Sequence, residues 1–135
     1  WERLFELAAA GSTILVSTHY MDEAVRCHRL CILRDGRNVA LGSPRALLEP
    51  LRDRIVEVHA DRADAAVHAL TPLPGVASVT QLGDVAHVLL APGGAAAAEV
   101  ATALARTLRA GGLAVHAASA AAPTLEDVFV ALLLG

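Results

Sequence analysis

Chemistry in this chain begins with His19. Ile14, Leu15 and Val16 form a short apolar run after Gly11, the pattern of a buried strand of a parallel sheet, predicted over residues 13–18. Met21, Ala24, Val25 and His28 recur at i, i+3, i+4 and i+7, which predicts a helix over residues 20–27 with Asp22 and Glu23 in its first turn. His19 then stands between the carboxyl end of a strand and the amino end of a helix. In open α/β sheets that crevice takes ligands, and phosphates above all. An imidazole there can donate a hydrogen bond to a phosphoryl oxygen. On spacing alone, a histidine that ends a strand and does no chemistry is the plainer reading.

Three other groupings have reactive residue types. His59, His87 and His116 fall on three predicted strands, and strand alternation places all three on the sheet face turned away from the helices. Three imidazoles with an open position would suit zinc, though none has the close local spacing of zinc motifs. A solvated or partner-facing sheet surface is the plainer reading. Cys27 and Cys31 read as two small buried hydrophobes rather than a redox or metal pair. Asp22 and Glu23 read as first-turn charges rather than a paired acid site.

The elements that must position these residues follow from periodicity and turn chemistry. A helix is predicted over residues 2–10, capped by Gly11. Leu30 to Leu33 and Val39 to Leu41 are extended runs joined through Asp35-Gly36, a strong hairpin signal. Ser43 and Pro44 open a short helix that Pro50 ends. Beyond residue 51 the pattern becomes strand 54–60, helix 62–70, strand 76–82, strand 85–91, helix 95–110 and strand 113–118. This βαββαβ order is that of a ferredoxin-like domain. Thr124 with Asp127 three residues on predicts a capping box at the start of a last helix, 124–134, whose apolar face holds Leu125, Val128, Phe129 and Leu132. That helix carries no basic residue, so it is expected to dock on its own protein and not on a membrane surface.

Residues 13–24, and the order histidine, helix, strand, turn, strand, Gly42-x-Pro44, resemble the switch region (H-loop) of ATP-binding cassette (ABC) ATPases, more narrowly of ABC-2 type exporters. The match covers residues 11–50, with Gly36, Gly42 and Pro44 in place, and Pro123 to Phe129 resembles the closing segment of the same exporters. His28 stands where that family often has an acid. The resemblance implies that His19 is the switch histidine, catalytic and in contact with the γ-phosphate of ATP. It implies a fold class of α/β, with residues 1–50 a remnant of the ABC ATPase core and residues 51–135 a small accessory domain. It also implies ATP and magnesium as ligands of a longer parent protein, and as partners a second ATPase copy and membrane permease subunits, at the inner face of the cell membrane. Transport specificity in that family resides in the permease.

The same residues set limits. The chain has 135 residues, 11 of them Arg and none Lys, so no phosphate-binding G-x-x-x-x-G-K-[ST] loop is present. Neither a Leu-Ser-Gly-Gly signature nor an apolar strand ending in Asp-Glu occurs. The chain taken alone is therefore expected to bind ATP weakly or not at all and not to hydrolyse it, and strand 13–18, lacking sheet neighbours, is expected to be exposed, poorly ordered, or paired with another copy through its edge. A net charge of −3 argues against a nucleic-acid binder. No apolar run reaches the length of a membrane span. Two cysteines without a secretory signal fit a reducing compartment. The opening at Trp1, inside a helical pattern, fits a C-terminal piece of a longer protein or a processed chain. A second function class stays open, a non-enzymatic regulatory or dimerisation module built on residues 52–135.

Overall fold

The computed structural model describes residues 1–135. Helix α1 (Glu2–Ala9) is followed by a stretch without regular structure, then the single turn α2 (Met21–Ala24). Strands β1 (Leu30–Arg34) and β2 (Arg37–Gly42) make an antiparallel hairpin, and α3 (Pro44–Leu48) runs into a 3-10 turn, Glu49–Leu51. The remainder is β3 (Ile55–Ala60), α4 (Ala63–Leu70), β4 (Val76–Leu82), β5 (Val85–Leu90), α5 (Ala97–Ala110), β6 (Val115–Ala121) and α6 (Leu125–Leu134). Four of the strands form one sheet in the order β4-β5-β3-β6, with every neighbouring pair antiparallel.

The hairpin forms where Asp35 and Gly36 both take positive φ, 51° and 73°, the geometry of a tight turn that matches strand twist. A Cβ at Gly36 would meet nothing within 4 Å, so only the backbone angle resists a side chain there. Gly36→Ala is expected to cost about 1–2 kcal/mol, the penalty of a left-handed L-residue. Urea unfolding checks it, and an unchanged midpoint would contradict the turn assignment.

Alternation along β3 decides the layers. Val56, Val58 and Ala60 point to the face covered by α4 and α5, where they pack with Ala66, Leu70, Val88, Leu104 and Leu108 in the main core. Ile55 points the other way. It joins Leu51, Leu89, Leu125 and Val128 in a second cluster, against which Met21, Leu30, Ile32 and Leu47 are packed. Helix α6 therefore lies on the sheet face opposite α4 and α5, and it bridges that face to the β1–β2 hairpin. The Arg34 guanidinium donates to the Leu132 carbonyl at 2.6 Å, fastening the hairpin to the same helix.

Helix α6 begins as the capping box predicted. Thr124 Oγ1 accepts from the Asp127 backbone N–H, and the Thr124 N–H donates to Asp127 Oδ2 at 2.8 Å. The parallel-sheet strand expected at 13–18 is absent. Residues 12–18 have no regular structure and Leu15 is 96% exposed, the exposure expected of a run that lacks sheet neighbours. Nothing flanks that run to accept its backbone hydrogen bonds, and an apolar triplet does not hold a strand without neighbours. The helix expected over 20–27 shortens to one turn for a related reason, since Val25 is exposed and no packed face extends it. No helix is long and apolar enough to cross a membrane.

Candidate functional site

His19 sits at the bend that leads into α2, and its side chain is exposed. Its ring lies against Tyr20, with centroids 4.1 Å apart. Thr18 organises the bend: its hydroxyl donates to Glu23 Oε2 at 2.6 Å and accepts from the Tyr20 N–H at 3.0 Å. Glu23 is thereby occupied, while Asp22 faces solvent, so the two carboxylates do not act as a pair. His28 is exposed. Across the chain start, Arg26 stands over the Trp1 ring at 5.7 Å. The bend offers one free imidazole at an open rim. It has no phosphate-cradling loop beside it, and no cluster of three His, Cys, Asp or Glu side chains is placed to hold a metal ion. The residues present do not by themselves form a site for ATP and magnesium. An open groove lined by Arg45, Glu49, Arg52 and Pro123 lies elsewhere, between α3 and the link into α6.

The cysteines are both free. Cys27 is half-buried with its thiol 3.9 Å from the Glu23 carbonyl, whereas Cys31 is exposed on β1, not buried as expected. An edge position on a two-stranded sheet leaves alternate residues of β1 facing water.

The three strand histidines do not meet. His116 pairs with Asp61 at the surface, beside a register shift between β3 and β6 that breaks the alternation. His59 belongs to neither histidine–carboxylate pair. His87 does face away from α4 and α5, but the face is not open, because α6 covers it. His87 is 8% exposed, and its Nε2 lies 2.8 Å from Oδ1 of Asp127, itself 5% exposed. The zinc reading fails for a geometric reason: each of two imidazoles is committed to a carboxylate in a different part of the sheet.

The His87–Asp127 pair is the polar centre that sequence reading missed. Asp127 was legible as a capping residue, and it is one. Its second oxygen, however, reaches a histidine 40 residues away. On the other side of the ring, His87 Nδ1 lies 3.4 Å from Glu57 Oε1 and has no hydrogen-bond partner. The hydrogen bond with Asp127 is the largest influence on His87 and holds its pKa above the ordinary value, against burial and with help from the charges of Asp127 and Glu57. For Asp127, burial is the largest single influence and pushes the carboxyl up. The bonds to His87 and Thr124 together outweigh it and leave the carboxyl below its usual range.

No family profile matches the chain. Known proteins do. The chain is 58% identical over 50 residues to Nod factor export ATP-binding protein I of Burkholderia pseudomallei, a match that takes in 36% of this chain and 16% of that protein. It is 45% identical over 75 residues to the protein of the same name from Cupriavidus pinatubonensis, covering 54% of this chain and 23% of that one. Part of this chain is similar to an ABC exporter ATP-binding protein. It is a partial likeness in both directions: the chain spans less than a quarter of the length of these two export ATP-binding proteins.

Proposed function

We propose that the chain is the C-terminal part of the ATP-binding, ATP-hydrolysing subunit of an ABC-type exporter, in which ATP hydrolysis drives substrate export. The observation that carries this reading is the 58% identity over 50 residues to a Nod factor export ATP-binding protein. In the proposed subunit His19 is the switch histidine, donating to the γ-phosphate of ATP from its exposed bend. Magnesium and the β- and γ-phosphates are held by chain outside residues 1–135. Residues 1–50 belong to the ATPase part. Residues 51–135 form an accessory domain of ferredoxin-like fold, a reading supported by the strand order β4-β5-β3-β6 with α4 and α5 on one face. The subunit works as a dimer beneath permease subunits at the inner face of the membrane.

The test compares the 135-residue chain with the complete subunit, each purified and assayed for phosphate release. The complete subunit is expected to turn over ATP, and the 135-residue chain is not. Turnover by the short chain would refute the assignment of the phosphate-holding parts to other residues.

One observation favours a second role for residues 51–135, as a non-enzymatic regulatory or dimerisation module. The main core runs from Val56 to Val115 and includes no residue upstream of β3. A unit with its own core can act on a partner without the ATPase part. Sedimentation of the 135-residue chain tests the dimerisation role: a stable dimer formed without the phosphate-holding parts supports it, and a monomer contradicts it.

A further inference from the structure

His87 is a buried histidine between two carboxylates on different elements, and its two ring nitrogens are unequally served. Nε2 meets Asp127 of α6 at 2.8 Å, while Nδ1 faces Glu57 of β3 at 3.4 Å without a hydrogen bond. Consider the neutral ring. With its single proton on Nε2 it serves Asp127, and the bare lone pair of Nδ1 then faces an anionic oxygen. That contact is repulsive and leaves a buried acceptor unserved. A second proton converts Nδ1 into a donor aimed at Glu57 and places one cation between two anions. The arrangement is therefore complete only when the ring is charged.

We propose that helix α6 is held to the four-stranded sheet by a proton-operated clamp, in which doubly protonated His87 on β5 ties Asp127 on α6 to Glu57 on β3. The elements packed around the ring support this. From β3 the ionisable residues on the His87 face are Glu57 and His59, the direct cross-strand partner of His87 being Glu57. From α6 they are Asp127 and the exposed Glu126. Strand β4 contributes none, since Thr80 lies opposite His87. On β6, His116 is committed to Asp61. No Arg or Lys competes for either carboxylate of the trio among the ion pairs of the chain.

Two signs follow. His87 binds its proton more tightly with α6 docked, so the clamp is complete below the ordinary imidazole range and is lost as pH rises through the raised His87 value. Asp127 binds a proton less tightly when docked, so its share is complete above the ordinary carboxylate range and is lost as pH falls through the lowered Asp127 value. Docking is strongest between these limits, in mildly acidic solution. Ile55, Leu89, Leu125 and Val128 carry no titratable group, so their packing is not part of the switch, and the helix is expected to loosen without detaching. Because α6 also receives Arg34 and packs with Ile32 and Leu47, loosening it weakens the hold of the β1–β2 hairpin on the sheet.

The experiment is amide hydrogen exchange of the 135-residue chain, corrected for intrinsic rates, from about pH 5 to about pH 8, the range in which histidine titrates. Protection of α6 relative to α5 is expected to fall across the upper half of that range, as His87 loses its second proton. His87→Gln, which keeps a hydrogen bond but cannot charge, is expected to abolish the pH dependence and to leave α5 unchanged. A wild-type profile that is flat, or a His87→Gln profile with the wild-type slope, would overturn the clamp. Should His87→Gln fail to fold, an NMR titration of the wild-type His87 ring decides instead. A midpoint above the ordinary histidine value supports the clamp, and one at or below it overturns it.

Discussion

Exchanging His19 for alanine in the proposed complete ATPase subunit is expected to lower kcat about a hundred-fold, the usual effect of removing one donor aimed at developing charge. ATP binding should change little, because the imidazole is one contact among many in the proposed site. The fold should not change either. His19 is exposed, and the one ring it lies against is that of Tyr20, so the thermal midpoint of His19→Ala should match wild type. This combination separates a chemical role from a structural one. Steady-state phosphate release and nucleotide affinity, measured on the same preparation, make the comparison. A variant that keeps wild-type kcat would show that the bend at His19 is only a connection between α1 and α2, and the proposed role would be withdrawn.

Ile55→Ala should produce the largest loss of stability among single truncations on the α6 side of the sheet, about 2–5 kcal/mol for a buried Ile reduced to Ala. Ile55 is fully buried on the central strand β3, opposite Leu89 on one side and Ala121 on the other. Its neighbours come from the 3-10 turn, β5 and α6, and these cannot all move inward to fill the space. The matching truncation on the other face is Leu108→Ala on α5, 1% exposed in the main core. Denaturant unfolding should give losses of similar size for the two. Hydrogen exchange should differ: Ile55→Ala should speed α6 and the hairpin, and Leu108→Ala should speed α5. If both variants loosen the same segments, the two cores are a single cooperative unit and the layering drawn from β3 is wrong.

Much of the secondary structure was legible because it is locally encoded. The Asp35-Gly36 turn needs positive φ at both positions, and those residue types tolerate it. Alternation along β3 and β5 and the apolar stripes of α4 and α5 come from period two and period 3.6, which survive without knowledge of the partner. Thr124 and Asp127 are three residues apart, so their reciprocal bonds close within one turn of α6. The resemblance of residues 11–50 to exporter ATPases was legible on the same basis, as a local string of motifs.

The buried strand read at 13–18 and the shared open face read for three histidines fail for one reason. Ile14-Leu15-Val16 has the composition of a buried strand, but a strand is a pairing and not a composition, and no neighbour lies beside it. His59, His87 and His116 were assigned one face from alternation, which does not say what covers that face or where a register shift will break the count. The role proposed for His19 likewise rests on the resemblance, since the bend itself shows only an exposed ring against Tyr20.

By itself, then, the sequence determined turns, caps, helix stripes, strand faces and the likeness to an exporter ATPase, because each of these is fixed by residues within a few positions of one another. Only the tertiary structure decided that α6 lies on the second face of the sheet, that Asp127 spends its other oxygen on His87, and that Glu57 closes the far side of the ring. The physical reason is distance along the chain. A buried charge must find its partner in space, and the partners of His87 are separated from it by 30 and 40 residues, too far for any local pattern to reveal.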